Sequence, residues 1–382
     1  MKKGWQTKKL GEVCSFLNRG VSPKYVEKGG IAVLNQRCVR DHVVSFEVGR
    51  RHDVKAKSVS DERLLRAGDV LVNSTGTGTL GRVAQLREDP PEPTTVDSHV
   101  TIVRPLPGQF FPEFFGYVLR DIEDELKESG EGCGGQTELN RSVLAEKFEV
   151  RFPQSLAEQQ RIVGLLDEAF EGLATAKANA EKNLQNARAL FESHLQSVFT
   201  QRGPGWVEKS LGETCEMYQP KTIGTKDLVP DGPYPVFGAN GVIGRYDKFN
   251  HEEPQLLVTC RGATCGSVNI SEPNSWITGN AMVVRPKDHA LDLHFLEFVF
   301  RGGIDIAAAI TGAAQPQITR TNLSPLLIRF PKSVTEQTRL AEKFEALTEE
   351  TQRLAAIYSR KLALLTALKK SLLHQAFTGA LE

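Results

Sequence analysis

The sequence is poor in the features that define several protein classes. Its 382 residues include six cysteines, none spaced as Cys-x-x-Cys, which excludes a disulfide framework and a zinc ribbon. Cys260 and Cys265 are close in sequence, but no histidine between Trp206 and His251 completes a metal cluster with them. No run approaches the roughly 18 apolar residues of a membrane helix, and no apolar stretch follows the basic N-terminal segment. We therefore expect a cytoplasmic protein with structural thiols and no membrane segment.

An excess of charge of either sign is also absent. The 47 basic residues balance 47 acidic residues, which excludes nucleic-acid binding by a strongly basic whole surface. Any basic face must therefore be local. The hydrophobic share of 40% and the charged share of 25% are typical of a soluble globular chain. At roughly 100 to 200 residues per domain, the length is sufficient for two or three globular units.

Complete catalytic motifs are missing as well. The glycine-rich run at 74–81 resembles a phosphate loop, but Arg82 stands where the required lysine should follow. The Asp-Pro-Pro-Glu run at 89–92 resembles the corner with which adenine methyltransferases hold a flipped base, but it lacks the stacking aromatic residue. The carboxylates of 112–113 and 125–127 have a loose nuclease-like spacing, yet they lie in predicted helical sequence. We predict neither a catalytic centre nor a metal site in this chain.

The most informative feature present is an internal repeat. A Gly-Trp pair followed five residues later by Leu-Gly-Glu begins at Gly4 and returns 201 residues later at Gly205. The run VRFPQSLAEQQRIV at 150–163 returns 178 residues later as IRFPKSVTEQTRLA at 328–341. That second offset holds without a gap to the Phe-Thr pair at 377–378. The chain is therefore a tandem duplication, and the segment that tolerates no insertions is expected to be one continuous element in each copy.

The periodicity of that segment predicts a long helix in each half. Apolar residues recur at a spacing near 3.6 residues, which places them on one helix face. Ser155 and Ser333, each followed three residues later by a glutamate, have the spacing of a helix-capping box. The first stripe contains Ile162, Leu166, Ala169, Leu173, Ala176, Ala180, Leu184, Ala187, Phe191, Leu195 and Val198, and the second contains Leu340, Phe344, Leu347, Thr351, Leu354, Tyr358, Leu362, Leu365, Lys369, Leu373 and Ala376.

The order of segments predicts the architecture. Because the second globular part connects the end of the first helix to the start of the second, the helices should run antiparallel and pair through their matching stripes as a coiled coil. Each globular half combines short buried strands, glycine-rich turns and brief helices, which is typical of an α+β domain. We predict two similar globular domains at 1–153 and 202–332, separated by long antiparallel helices at 154–201 and 333–382, related by a pseudo-twofold axis.

With these residues assembled, the chain resembles the specificity, or DNA-recognition, subunit of type I restriction-modification systems. The resemblance extends over essentially the whole length and depends on the order of several motifs, each present in both halves or in the second. These are Leu-Gly-Glu at 10–12 and 211–213, the strand-turn-strand segments 69–83 and 256–268, YPVFGANGVIG at 234–244, WITGNA at 276–281, AQPQI at 314–318, and a proline followed by Glu-Gln at 153–159 and 331–337.

The first half departs from this family pattern. It has no run similar to YPVFGANG, and Gly-Gln-Thr-Glu at 135–138 replaces the Gln-Pro motif.

The resemblance implies a DNA-recognition protein that is not itself an enzyme. It implies two target-recognition domains, each of which contacts one half of a split, asymmetric sequence in double-stranded DNA, with the paired helices as a ruler for the gap. It also implies two copies of a methyltransferase subunit that carry S-adenosylmethionine, and restriction subunits that use ATP with Mg²⁺. No cofactor is expected in this subunit itself.

Polar residues on turns after strands are the natural candidates for DNA contact, because arginine, lysine, asparagine, glutamine, serine and threonine read base edges and phosphates. The basic run 50–52 is a candidate phosphate contact. In the first half the candidates are Asn35, Gln36, Arg37, Arg40, Arg50, Arg51, Ser74, Thr75, Thr77 and Arg82, and in the second they are Lys221, Asn240, Arg245, Tyr246, Arg261, Thr264 and Asn280.

Two other interpretations fit parts of the sequence. A tandem scaffold that binds protein or glycan partners is favoured by the neutral net charge, and sequence-specific DNA binding would exclude it. A nuclease or methyltransferase would require an intact catalytic motif, and none is present.

Overall fold

The computed structural model describes residues 4–130, 138–201, 203–312 and 315–381. It divides into two compact units. Unit 1 comprises Met1–Ala178 with Leu362–Glu382, and unit 2 comprises Asn179–Lys361. Each unit therefore contains one globular half and segments of both long helices. The sequence instead predicts boundaries at residues 153, 201 and 332, which separate the globular domains from the long helices. That domain division stays a prediction.

The globular half of unit 1 consists of short strands and brief helices. Its strands are β1 (Trp5–Lys9), β2 (Cys14–Arg19), β3 (Tyr25–Val26), β4 (Ile31–Leu34), β5 (Val39–Arg40), β6 (Val43–Val44), β7 (Arg50–His52), β8 (Val70–Asn73), β9 (Val83–Gln85), β10 (Thr94–Val96), β11 (Val100–Pro105) and β12 (Glu149–Pro153). Its helices are α1 (Phe114–Asp121), α2 (Glu123–Glu128) and α3 (Arg141–Glu146), and the long helix α4 (Leu156–Gln201) follows.

The globular half of unit 2 has a similar order. Its strands are β13 (Trp206–Ser210), β14 (Cys215–Tyr218), β15 (Tyr234–Gly238), β16 (Gly241–Tyr246), β17 (Leu256–Thr259), β18 (Val268–Ile270), β19 (Trp276–Ile277), β20 (Ala281–Pro286), β21 (Ile310–Thr311), β22 (Gln317–Ile318) and β23 (Leu327–Pro331). Its helices are α5 (Leu211–Thr214), α6 (Leu293–Phe298), continued by a π-helical turn at Val299–Gly303, α7 (Arg320–Leu323) and the long helix α8 (Val334–Thr378).

The two halves share one sheet topology. In unit 1 a four-stranded sheet has the order β2-β11-β8-β9, and in unit 2 the order β14-β20-β17-β18 is its counterpart. In both, the strand nearest the N-terminus of the half pairs with the last strand before the long helix, so that Trp5 lies opposite Pro153 and Trp206 lies opposite Pro331. A second sheet contains a parallel pair in each half, β4 with β10 and β15 with β19. These matched pairings confirm the α+β duplication.

The long helices pack in opposite directions within each unit. In unit 1 the ammonium of Lys369 on α8 lies 5.1 Å from the ring centre of Phe170 on α4. In unit 2 Phe199, near the end of α4, packs on Phe344, near the start of α8, with ring centres 6.0 Å apart. All residues of the predicted first stripe are buried or half-buried. In the second stripe the exception is Lys369, whose exposed side chain still covers an aromatic ring.

A buried glutamine joins each globular half to its helix. Gln159 and Gln337 are both fully buried. The Gln159 amide donates to the Pro153 and Gln109 carbonyls at 2.8 and 3.2 Å, and its oxygen accepts from the Phe111 amide at 2.7 Å. Gln337 makes the same three bonds, to Pro331, Ala290 and Asp292. The Glu-Gln motif therefore has a structural explanation in both copies.

Candidate nucleic-acid interface

A closed polar loop follows β8 in unit 1. The Gly81 amide donates to the Asn73 carbonyl at 2.8 Å, and the Asn73 amide donates to the Arg82 carbonyl at 3.0 Å. Gly81 has a φ of 77°, and a Cβ atom there would lie 2.6 Å from the backbone nitrogen of Lys127. The loop therefore requires glycine at this position for both backbone conformation and space.

The loop borders a polar cleft of about 280 Å³ in unit 1. Five segments that are distant in sequence contribute to it, because β2, β4 and β8 end and β11 begins at this side of the fold, and Glu138 forms a β-bridge with Thr75. The lining residues are Arg19, Gln36, Thr75, Gly76, Ser98, His99 and Glu138.

Hydrogen bonds connect these residues. Gln36 Nε2 donates to Thr75 Oγ1 at 2.6 Å, and Gln36 Oε1 accepts from the Thr79 hydroxyl at 3.1 Å. Thr75 Oγ1 also bonds to His99 Nδ1 at 2.8 Å. Arg19, at the end of β2, forms an ion pair with Glu138 and donates to the Leu139 carbonyl. The cleft is therefore built of polar side chains that hold one another in place.

Unit 2 has an equivalent loop after β17. The Gly266 amide donates to the Thr259 carbonyl at 2.9 Å, and the Thr259 amide donates to the Ser267 carbonyl at 2.8 Å. The Thr259 hydroxyl contacts the Ala239 carbonyl at 2.6 Å and Asn240 Oδ1 at 3.0 Å, so it fastens the β15–β16 turn to the loop. Arg261, on this loop, is exposed, and its backbone forms an isolated antiparallel β-bridge with Gln317.

The strand registers define which residues of the two units occupy equivalent positions. Asn73 and Thr259 pair with the first residues of β11 and β20, so the residues just before those strands, His99 and Asn280, correspond. Isolated antiparallel β-bridges join Thr75 to Glu138 in unit 1 and Arg261 to Gln317 in unit 2. Thr75 therefore corresponds to Arg261, and Glu138 corresponds to Gln317. Arg19 and Gln219 then correspond at the ends of β2 and β14.

The registers also show which segment of the first half stands where the YPVFGANG run stands in the second half. The amide after β10, of Asp97, donates to the Leu34 carbonyl, and the amide after β19, of Thr278, donates to the Phe237 carbonyl. The segment 31–37 therefore takes the place of 234–240 with a different sequence. The backbone arrangement is the same although the side chains differ, so the sequence alone did not show that these two segments are equivalent.

The replacement of the Gln-Pro motif in the first half is clarified in part. The Leu139 amide donates to the Ser74 carbonyl at 2.8 Å, as the Ile318 amide donates to the Cys260 carbonyl at 2.9 Å. Glu138 and Leu139 therefore stand where Gln317 and Ile318 stand in unit 2. The predicted motif residues 135–137 and Ala314 lie outside the described residues.

Several predicted DNA contacts have structural roles instead. Ser74 is fully buried and bonds to the Thr101 hydroxyl, so its side chain is not exposed to DNA. Arg51 pairs with Glu92 and donates to the carbonyls of residues 29 and 30. Arg245 donates to the carbonyls of residues 232 and 233, and Tyr246 packs edge-on against Trp276. These side chains stabilise the turns that carry the exposed residues.

Some of the other predicted contacts lie on the two loops, and the rest lie on other turns and strands. Asn35 caps the short turn at Gln36–Cys38 by accepting from the Arg37 amide, and Arg82 donates to the Gly78 carbonyl. Arg50 covers the ring of Tyr25 at 3.5 Å, and Arg40 lies 3.6 Å from Asp41. The exposed members are Arg37, Arg40, Arg50, Thr77, Lys221, Asn240, Arg261, Thr264 and Asn280.

Residue-level inspection of the sequence missed Arg19, Ser98, His99, Glu138 and Gln317. A usable clue was present for one of them. The Val-Arg-Pro repeat at 103–105 and 284–286 has an offset of 181, and this offset carries Asn280 back to His99. Arg19 and Glu138 follow only from strand pairing.

Burial governs the electrostatics around the loops. It raises the pKa of Asp97, although its carboxylate accepts from the His99 amide at 2.9 Å. Burial likewise raises the pKa of the Cys38 and Cys260 thiols, so both are expected to be inert. Across the parts of the chain that the structure describes, no group of three or more potential metal ligands is assembled. Over the same ranges no helix is long and apolar enough to cross a membrane.

The fold and the two polar loops define a duplicated recognition scaffold, with one site in each unit. Comparison with known proteins gives the family. The model of the type I restriction modification DNA specificity domain matches residues 2–184 and 204–359, and the chain belongs to this family.

Individual relatives are more distant. The specificity subunit of the type I restriction enzyme EcoprrI of Escherichia coli is 25% identical over 216 residues, which cover 54% of this chain and 53% of that protein. The match thus spans about half of that relative's length.

Solved structures share the fold. A chain from a study of complex assembly and conformational transition of the type I R-M system is 19% identical, with a TM-score of 0.79 and coverage of 99% of this chain and 98% of that chain. The HsdS subunit from Thermoanaerobacter tengcongensis is also 19% identical, with a TM-score of 0.64 and coverage of 100% and 98%.

Proposed function

We propose that this protein recognises a bipartite, asymmetric sequence in double-stranded DNA as the specificity subunit of a type I restriction-modification complex. The observation that carries the proposal is the pair of equivalent polar loops, built on the same strands but occupied by different side chains. Thr75, His99 and Glu138 in unit 1 stand where Arg261, Asn280 and Gln317 stand in unit 2. Different side chains on one frame are what two dissimilar half-sites require.

The neutral net charge is compatible with this function because affinity for DNA needs only a local set of phosphate contacts. Arg37 and Arg40 are exposed beside the loop of unit 1, and Lys221 is exposed in unit 2. These residues are the proposed phosphate contacts, whereas residues on the loops are the proposed base contacts.

The proposal assigns the chemistry to other subunits. Two methyltransferase subunits would supply S-adenosylmethionine and the methyl transfer, and restriction subunits would supply ATP-dependent motion and cleavage with Mg²⁺. This chain would be a cytoplasmic, non-catalytic scaffold for them. A role as a scaffold for protein or glycan partners has no observation in its favour beyond the balanced charge, and membership of a DNA specificity family supports the DNA proposal instead.

The test is methylome sequencing of a host that carries this subunit with its neighbouring methyltransferase gene, beside a host that lacks only this subunit. A split methylated motif that disappears with the subunit is the expected result. A variant with Arg261 and Asn280 both changed to alanine should alter one half of the motif and leave the other half intact. An assembled complex that gives no motif and binds no DNA would contradict the proposal.

A further inference from the structure

A chain of hydrogen bonds in unit 1 ends at His99, a residue that sequence inspection did not select. It runs from the Thr79 hydroxyl to Gln36 Oε1, from Gln36 Nε2 to Thr75 Oγ1, and from Thr75 Oγ1 to His99 Nδ1. The distances are 3.1, 2.6 and 2.8 Å. Because a hydroxyl has one proton to donate, each hydrogen bond in the chain limits whether the next group acts as donor or acceptor.

The direction of these bonds favours one tautomer of His99. Gln36 Oε1 is the nearest of three acceptors around the Thr79 hydroxyl, at 3.1 Å against 3.2 and 3.4 Å for the Thr75 and Gly76 carbonyls, and the amide turns its Nε2 hydrogens toward Thr75. Thr75 Oγ1 accepts one of these hydrogens, which leaves its own proton available for His99 Nδ1. A neutral imidazole that accepts at Nδ1 carries its hydrogen at Nε2.

The backbone of His99 is held on both sides. Its amide donates to Asp97 Oδ1 at 2.9 Å, and its carbonyl accepts from the Ser74 amide at 2.9 Å. The side chain is exposed at the rim of the polar cleft. Among the described residues Nε2 has no hydrogen-bond partner. The Nε2 edge of the ring is therefore available to a ligand at the rim of the cleft.

We propose that His99 reads one base of the first half-site by donating from Nε2 to an acceptor in the major groove, with Gln36 and Thr75 as positioning residues that fix its tautomer. The acceptors available there are purine N7, guanine O6 and thymine O4, whereas cytosine presents only an amino donor. The inference rests on the proposed function and adds to it the class of base edge that this position selects.

Unit 2 lacks this chain of hydrogen bonds at the equivalent position. Asn280 replaces His99, and an amide can donate and accept without any tautomer to fix. Arg261 stands in place of Thr75, so unit 2 has no hydroxyl at this position that could donate a hydrogen bond to the residue before β20. The hydrogen-bond chain is therefore found in the unit that has the histidine, as expected if the chain sets the tautomer of that ring.

The tautomer can be measured without DNA. In the full-length chain with ¹⁵N-labelled histidine, the signal lost in His99→Gln identifies His99, and the chemical shifts of its two nitrogens report which one carries hydrogen. We expect hydrogen on Nε2 in the parent protein and in Thr75→Ser, and a mixture of tautomers in Thr75→Val. Hydrogen on Nδ1 in the parent protein would overturn the inference, since Nε2 would then be an acceptor.

The reading role is measured on the assembled methyltransferase complex. His99→Ala should reduce affinity for the cognate site roughly 10- to 100-fold and relax one position of the first half-site in the methylome, with no change in the second. Thr75→Val should relax the same position, and Thr75→Ser should restore it.

The outcomes separate the inference from the function on which it rests. If the parent complex methylates a split motif and His99→Ala leaves that motif and its affinity unchanged, the inference fails while the proposed function stands. If the parent complex recognises no split motif, the proposed function fails first. Uniform weakening on all DNA by His99→Ala, without relaxation at one position, would identify a phosphate contact and would also overturn the inference.

Discussion

At the scale of single residues, the buried glutamines at the start of α4 and α8 explain a motif that is otherwise only a family resemblance. Each side-chain amide makes three hydrogen bonds to backbone groups of the globular half. Removal of such an amide leaves buried backbone donors and acceptors without partners, which costs about 1 to 3 kcal/mol for each group.

Gln159→Ala is therefore expected to lower the free energy of unfolding by about 2 to 4 kcal/mol. The measurement is urea denaturation of the full chain, followed by far-ultraviolet circular dichroism. Gln160→Ala is a matched control, because Gln160 is the next residue on the same helix but is exposed. Equal stability of the two variants would show that the buried bonds contribute nothing measurable.

Asp121 gives a prediction for pH. Burial raises the pKa of Asp121 to about 6, against the lowering effect of His374 and Arg151. The unfolded aspartate titrates near 4, so the folded protein takes up a proton between about pH 6 and pH 4 that the unfolded chain does not. Its charged form thus destabilises the fold above pH 6, and this cost disappears on acidification.

Asp121→Asn should accordingly stabilise the protein by roughly 1 kcal/mol at pH 7.5, with the difference lost towards pH 4. Thermal unfolding measured across that range checks it. Asp124→Asn should show the opposite sign at neutral pH, because the hydrogen bond from Lys370 lowers the pKa of Asp124. If Asp121→Asn were less stable than the parent at pH 7.5, the burial argument would be refuted.

Arg261 is the clearest single base-reading candidate in unit 2. It is exposed on the loop after β17, and an arginine bidentate to guanine is worth about 1 to 3 kcal/mol of discrimination. Arg261→Ala should relax one position of the second half-site, as read from the methylome. Arg329→Ala removes an arginine of β23 that pairs with Glu208, and it should leave the motif unchanged. Equal weakening on all sequences would instead make Arg261 a phosphate contact.

At the scale of elements, the regular parts of the fold were predictable and the loops were only partly so. The stripe spacing predicted both long helices because one periodic face must be buried along the whole segment. Strand-turn-strand patterns predicted β8 and β17 with their glycine turns. The equivalence of 31–37 with 234–240 was not predictable from residue letters, because hydrogen bonds from backbone amides fix that segment and any sequence of suitable shape satisfies them.

Some residues of the candidate site were likewise predictable from the sequence, and others were not. Polar residues on the turns could be selected from the sequence, since turns after strands are the usual place for binding residues. Arg19 and Glu138 could not, because they meet only through pairing between segments more than a hundred residues apart. Arg51 and Arg245 were selected for their charge, but charge alone does not distinguish a DNA contact from a side chain that closes a turn.

The loop after β8 offers a test of its glycine requirement. Gly81 and Gly78 have nearly equal φ angles, 77° and 76°, but only Gly81 would bring a Cβ atom against the backbone of Lys127. Gly78→Ala is expected to cost about 1 kcal/mol from the φ angle alone, and Gly81→Ala about 2 kcal/mol or more. Thermal unfolding of the two variants measures the difference. An equal cost would show that the loop moves away from Lys127 freely.

At the scale of the whole molecule, both long helices run from one compact unit into the other. Ala178 and Asn179 divide α4 between the units, and Lys361 and Leu362 divide α8. The two helices have nearly equal length, 46 and 45 residues, and the 178-residue offset between them has no insertion or deletion. A matched length is expected if the helices act as a ruler for the gap between half-sites.

Insertion of four residues at both divisions, one helical turn in each helix, tests this proposal. At a rise of about 1.5 Å per residue the insertion adds about 6 Å, close to two base pairs at about 3.4 Å each. The gap in the methylated motif should lengthen by about two base pairs while both half-sites stay the same, because neither loop is altered. Methylome sequencing provides both readouts at once.

An insertion in α4 alone is the control for a ruler made of two helices. It lengthens one helix between its contacts in the two units, so that the pairs Phe170–Lys369 in unit 1 and Phe199–Phe344 in unit 2 can no longer both form. This variant should unfold at a lower temperature and methylate poorly, whereas the double insertion should keep the stability of the parent. An unchanged gap in a stable, active double insertion would mean that the spacing of the half-sites is set elsewhere, by the partner subunits or by the DNA itself.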